Sequence, residues 1–119
     1  MKQYYFERLD VWNDARAFVR EIYTITSSFP VEEKFGLTNQ IRRASLSICS
    51  NIAEGMSRQT EKDKARFINQ AFSSAIEVIN FVILSRDLDF INEEQYVNYR
   101  EKLEKNTNQL NSLYNKFNK

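Results

Sequence analysis

Histidine is absent from this chain of 119 residues, and only one cysteine, one proline and two glycines occur in it. Without histidine the chain has no histidine general base, no nucleophile–histidine triad and no Glu-x-x-His di-metal site of the kind that some four-helix bundles hold. A Gly-rich phosphate loop is also missing. The single Cys49 excludes a disulfide within the chain, and its position beside an apolar helical stripe indicates a buried structural thiol rather than a reactive one.

Paired carboxylates are the remaining candidates for acid–base chemistry, and they occur at Glu32–Glu33 and Glu93–Glu94. Both pairs lie where helices are predicted to begin, and acidic residues are favourable there because of the helix dipole. We therefore predict a protein that is not an enzyme and that uses neither a cofactor nor a metal ion.

Long apolar runs are missing as well. The N-terminal segment MKQYYFERLD has no apolar stretch of signal-peptide length, and no segment reaches the roughly 18 continuous apolar residues that predict a membrane span. We expect a cytoplasmic protein without membrane contact.

The scarcity of glycine and proline favours long helices, and the length of the chain suits one domain over residues 1–119. Apolar residues recur every three or four positions through most of the chain. The helices are predicted over Leu9–Ser27, from Leu37 or Thr38 to between Gly55 and Gln59, over Glu61–Asp87, and from Asn92 to the chain end. Short joints between amphipathic helices predict an all-α fold, an antiparallel up-down-up-down four-helix bundle.

Local signals mark the ends of these helices. The first helix is predicted to end before Phe29–Pro30, because the residue before a proline is steered away from helical dihedral angles. Thr60 is a good N-cap for the third helix, and Asn92 with Gln95 forms a capping box for the fourth. Asn106 interrupts the apolar seam of the fourth helix, where a lone asparagine is expected to determine register.

The third helix is unusually apolar. Between Phe67 and Leu84 its apolar side chains cover well over half of the circumference, more than one bundle core is expected to bury. A partner is therefore implied, and we predict an oligomer interface at Phe72, Ile76 and Ile79.

The second helix has two contrasting sides. Its inward stripe is predicted to consist of Ile41, Ala44, Ser45, Ile48, Ile52 and Met56. Its other side carries small polar and charged residues, namely Arg43, Ser47, Ser50, Asn51, Glu54 and Arg58. Such a side can pack closely against another helix or present charges to a ligand, and composition does not choose between the two. Gly55 is interpreted as a point of close approach by a neighbouring helix.

Charge is nearly balanced overall, at +1, which argues against a generally basic nucleic-acid binder. Its distribution is uneven, because the segment 36–70 carries six basic and three acidic residues. This excess can be a solvated surface with internal pairs such as Glu54–Arg58. It can also form a substantial positive patch if an oligomer repeats it in every subunit.

The segment Phe29 to Arg58, read as FP..E..GLT.QIRRA..SI..NIAEG.SR, resembles the signature of the four-helix-bundle proteins encoded in intervening sequences of bacterial 23S ribosomal RNA. This family includes the accessory variability proteins of diversity-generating retroelements. The similarity extends upstream to Leu9 and Trp12. Downstream it reaches Ala71, Ser74, Ala75 and Glu77, with Ser73 where the family often has glycine.

The resemblance implies a helical bundle that assembles into a cyclic homopentamer, and for the retroelement branch it also implies a basic surface that binds nucleic acid and a reverse transcriptase. The candidate nucleic-acid contacts are Arg42, Arg43, Arg58, Lys62 and Arg66, and the candidate structural motif residues are Asn51, Glu54, Gly55 and Glu77. Two hypotheses follow: a non-catalytic scaffold that binds RNA or DNA with low specificity, or a scaffold for a protein partner whose arginines form structural salt bridges.

Overall fold

The computed structural model describes residues 1–119 as four α helices without a β strand. The helices are α1 (Asp10–Thr26), α2 (Leu37–Met56), α3 (Glu61–Asp87) and α4 (Glu93–Phe117), and short 3-10 turns occur at Tyr5–Arg8 and Val31–Glu33. The predicted all-α class and the predicted number of helices are confirmed.

The predicted capping residues are confirmed too. The Thr60 side chain accepts a hydrogen bond from the backbone N–H of Asp63 at 3.1 Å. The Asn92 side chain accepts from the N–H of Gln95, and the Gln95 side chain accepts from the N–H of Asn92, both at 2.8 Å. These bonds satisfy N–H groups that the first turn of a helix leaves unpaired, and they therefore determine where α3 and α4 begin.

Contacts between neighbouring helices run in opposite directions along the chain. On α2 and α3, Ser47 contacts Ser74 while the later Gly55 lies against the earlier Phe67. On α1 and α4, Glu21 pairs with Lys102 while Asp14 bonds to Gln109. The pairs α2–α3 and α1–α4 are therefore antiparallel.

The core lies between the inward stripes of the four helices. All six residues of the predicted α2 stripe are buried, together with the α1 residues Val11, Ala15, Phe18 and Ile22. Asn106 is buried at its predicted place in the α4 seam, between Leu103 and Leu110, and its Nδ2 lies 3.3 Å from the carbonyl oxygen of Val11 on α1. This contact fits a role in setting the register of α4 against α1.

The bundle covers more of α3 than the sequence predicts, because α3 packs against both α2 and α4. Phe72 and Ile79 are half-buried against the core, whereas Ile76 is 47% exposed. Even so, only 28% of the most apolar 18-residue window of α3 is buried, and by length and composition alone this helix is apolar enough to cross a membrane. As predicted, α3 has no continuous run of 18 apolar residues, because single polar residues such as Glu77 and Asn80 interrupt it.

Candidate nucleic-acid and assembly surfaces

The contact between α2 and α3 explains two of the motif residues. A Cβ atom added to Gly55 would lie 2.7 Å from the Cβ of Phe67, closer than real Cβ contacts occur. Ser47 and Ser74 are hydrogen-bonded through their hydroxyl groups at 2.9 Å, and Asn51 donates to the carbonyl oxygen and the hydroxyl of Ser47. Gly55 therefore acts in helix packing, as predicted, whereas Asn51 bonds within α2 to the serine that contacts α3.

Arg42 points toward α1. Its Nε donates to the hydroxyl of Thr26 at 2.8 Å, and its Nη2 donates to the carbonyl oxygen of Tyr23 at 3.3 Å. The guanidinium also lies 4.5 Å from the centre of the Tyr23 ring. These contacts favour a structural role in holding the C-terminal end of α1 to α2 over the predicted contact with nucleic acid.

The turn between α2 and α3 brings together Arg58, Lys62, Asp63 and Arg66, a group that we call the basic turn. Both arginines pair with the single carboxylate of Asp63, Arg58 at 2.6 Å and Arg66 at 2.9 Å. Hydrogen bonds from Arg58 and then Arg66 lower the pKa of Asp63 below its ordinary value. The predicted alternative pair Glu54–Arg58 does not form, because Asp63 of the following turn lies closer to Arg58.

An aromatic ring underlies the basic turn. The guanidinium groups of Arg66 and Arg58 lie 4.6 Å and 5.3 Å from the centre of the Phe67 ring. Lys64 donates to the carbonyl oxygen of Met56 at 3.1 Å and so caps the end of α2, whereas Lys62 is exposed and forms no ion pair within the chain. The basic turn therefore holds three cations and one carboxylate, and the carboxylate of Glu61 lies beside it in the first turn of α3.

A second surface lies on the outer sides of α2 and α3. Its residues are exposed and recur at helical spacing, and we call it the motif face: Arg43, Leu46, Ser50 and Glu54 on α2, with Ser73, Glu77 and Leu84 on α3. Arg43, Glu54 and Glu77 have neither an ion pair nor a side-chain hydrogen bond within the chain. The motif face thus combines unpaired charges of both signs with exposed leucines.

Sequence reasoning missed two parts of these surfaces. Leu46 and Leu84 are exposed on the motif face, but each reads in the sequence as one more apolar residue of its helix. Asp63 counted in the sequence only as one of the three acidic residues of segment 36–70, although its spacing of three from Arg66 was a visible signal for a pair.

Groups that carry chemistry are few in the structure. Burial raises the pKa of the Cys49 thiol to about 11, against a smaller opposing effect of Arg16, so the thiol stays protonated at neutral pH. Cys49 is half-buried rather than fully buried as predicted. No three His, Cys, Asp or Glu side chains come together in a way that would hold a metal ion.

Comparison with known proteins places the chain in a family. The family model described as 23S rRNA-intervening sequence protein matches residues 7–112. The chain also resembles a solved structure of a protein of unknown function from the S23 ribosomal protein family of Bacteroides thetaiotaomicron VPI-5482, with a TM-score of 0.82 and 25% sequence identity over 88% of this chain and 95% of the other. No curated protein matches significantly. From the fold, the central motif and this match, the chain belongs to the 23S rRNA-intervening sequence protein family.

Proposed function

We propose that this protein is a non-catalytic scaffold that assembles into a cyclic homo-oligomer, the homopentamer that the family resemblance implies. The observation that carries the proposal is the motif face, where Arg43, Glu54 and Glu77 lack partners and Leu84 is 41% exposed. A second copy of the same chain suits this surface, because its unpaired charges of both signs can pair with charges on a different face of the next subunit, the heterologous contact that closes a ring. The exposed leucines would supply the apolar area that a stable contact needs.

Light scattering on size-exclusion fractions tests the assembly. Leu84→Asp and Ile76→Asp place a charge on the motif face and on the side of α3 where the interface residues Phe72, Ile76 and Ile79 were predicted. A variant that dissociates the oligomer identifies its position as part of the contact between subunits. Val31→Asp is the matched control, because Val31 is 78% exposed in the joint before α2 and belongs to neither face. A wild-type protein that is monomeric at micromolar concentration would refute the assembly.

Arg43→Ala separates assembly from stability. Arg43 has no partner within the chain, so its loss should leave the folded monomer unchanged and weaken only the oligomer. Arg20 is an exposed arginine of α1 without an ion pair, and Arg20→Ala is the matched control. An oligomer that survives Arg43→Ala at high dilution would remove Arg43 from the interface.

We infer, as a second activity of the same scaffold, weak and sequence-independent binding of RNA or DNA phosphates by the basic turn. Arg58, Lys62 and Arg66 are exposed at one end of the bundle, and surface ion pairs such as those with Asp63 are weak enough to exchange for a phosphate. The alternative is a scaffold that binds only a protein partner. In that case the ion pairs of Arg58 and Arg66 with Asp63 serve only to stabilise the turn between α2 and α3.

Asp63→Asn distinguishes the two. If the basic turn binds phosphates, removing the competing carboxylate should raise affinity for a short RNA and steepen its salt dependence by about one unit of slope for each added contact. Asp89→Asn, the same change at the other end of the bundle, is the control. Lower stability without tighter binding would favour the structural alternative.

The pH of this assay is not critical between about 5.5 and 8. The pKa of Asp63 is lowered in the folded protein, so any stabilisation by its pairs is present above the ordinary aspartate pKa. That stabilisation is lost only in acid, as the pH falls through the lowered pKa. At neutral pH, a difference between Asp63→Asn and the wild type therefore arises from the loss of one negative charge and not from partial protonation of Asp63.

A further inference from the structure

A cavity of about 190 Å³, partly open to solvent, lies between α1 and α4, with Ile48 of α2 in its wall. Its buried walls are apolar and include Ala15, Phe18, Ile48 and Leu103, whereas the exposed Ala17 and a set of charged side chains surround its mouth. A cavity of about 150 Å³ with apolar walls is large enough to hold benzene. This space therefore suits one small ring system.

One polar atom beside the cavity lacks a partner. Asn106 lines the cavity and is only 5% exposed, and its Nδ2 donates to the carbonyl oxygen of Val11. Its Oδ1 is buried and accepts no hydrogen bond within the chain. A buried acceptor without a hydrogen-bond donor destabilises the protein. A ligand donor that bonds to this oxygen therefore contributes more binding free energy than the same bond would at a solvent-exposed oxygen.

The charges at the mouth are already paired with each other. Lys102 lies 2.6 Å from Glu21, and Lys105 lies 3.3 Å from Asp14. Two cations and two carboxylates leave no net charge to attract an ion, so the cavity favours a neutral molecule. The ring of Phe18 in the cavity wall would make favourable contact with an aromatic ligand.

We propose that the cavity between α1 and α4 binds a small neutral aromatic molecule that carries one N–H or O–H donor, of the size of indole or phenol. The ring occupies the apolar space and the donor bonds to Asn106 Oδ1 after a small rotation of the amide. This site is separate from the motif face and the basic turn, and it does not depend on the function proposed for them.

A matched pair of probes tests the donor. Indole and benzothiophene have the same shape, but only indole carries an N–H group. Titration of the wild-type protein, followed by amide chemical shifts, should give a dissociation constant for indole about three- to tenfold lower than for benzothiophene. Asn106→Leu replaces the amide by an apolar group of similar size, and this variant should bind the two probes equally.

Ala17→Phe tests the location, because a ring at this exposed position should close the mouth and abolish binding of both probes. Asn98→Phe is its control, since Asn98 is exposed on α4 and does not line the cavity. The proposal is overturned if the folded wild-type protein binds neither probe, if binding survives Ala17→Phe, or if the preference for indole survives Asn106→Leu. The first two outcomes do not require Asn106→Leu to fold.

Discussion

Helices α2 and α3 approach so closely that one added methyl group at Gly55 would meet Phe67 at 2.7 Å, whereas α1 and α4 leave a cavity of about 190 Å³ between them. The close contact uses small side chains, Gly55 with the bonded hydroxyl groups of Ser47 and Ser74. The open seam is bridged by long side chains, Lys102 to Glu21 and Lys105 to Asp14. The size of the residues at each contact thus decides how near two helices come.

The difference also separates two kinds of stabilisation. Close packing is sensitive to added volume, because neighbouring backbones cannot move apart without losing other contacts. Exposed ion pairs contribute little, because water and salt screen them. Changes in the α2–α3 contact should therefore have larger effects on the free energy of unfolding than changes in the α1–α4 bridges.

Gly55→Val is expected to have the largest effect. The new side chain overlaps the Cβ of Phe67, which is held close to the backbone of α3 and cannot turn away. We expect a loss of about 3 kcal/mol in the free energy of unfolding, measured by urea denaturation. Ser112→Val introduces the same side chain at an exposed position of α4 and should change stability by less than about 0.5 kcal/mol. Equal effects of the two variants would show that the α2–α3 contact is not tight.

Ser47→Ala should have an intermediate effect. It removes the bond to Ser74 and one bond from Asn51, which we expect to lower stability by about 1 kcal/mol. Replacing Ser47 and Ser74 together should cost less than the sum of the two single changes, because neither hydroxyl is then left unpaired. Ser112→Ala, at an exposed position of α4 outside the motif face, is the control. Strictly additive effects would argue against the hydroxyl bond.

Glu21→Gln should have the smallest effect. It breaks the pair with Lys102 at the α1–α4 seam, and partly exposed pairs of this kind contribute about 0.2 to 1 kcal/mol. The difference from the wild type should shrink further in about 1 M salt. Glu32→Gln removes an exposed carboxylate that has no ion pair and serves as the control. A loss as large as that of Gly55→Val would mean that the bridges, and not the core, hold α1 to α4.

Much of the fold was predictable because its signals are local. The capping residues Thr60 and Asn92, the end of α1 before Phe29–Pro30 and the inward stripe of α2 depend on residues within a few turns of one another, and the structure confirms them. The close approach at Gly55 was predictable as well, since a glycine inside an otherwise regular helix calls for a packing reason.

The sites were less predictable because each depends on a partner from another helix or turn. Arg42 and Arg43 are adjacent and alike in the sequence, yet a rotation of about 100° turns one toward Thr26 of α1 and leaves the other exposed. The pairing of Arg58 with Asp63 instead of Glu54 depended on the path of the turn after α2.

The sequence by itself determined where the helices begin and end and which stripe of each faces inward, because hydrogen bonds within four residues and a period of 3.6 decide both. Only the tertiary structure decided which charges on the motif face have no partner and that Asp63 pairs with both Arg58 and Arg66. It also decided that a cavity lies beside Asn106. Those features depend on distances between side chains that are remote in sequence, and such distances exist only once the helices have packed.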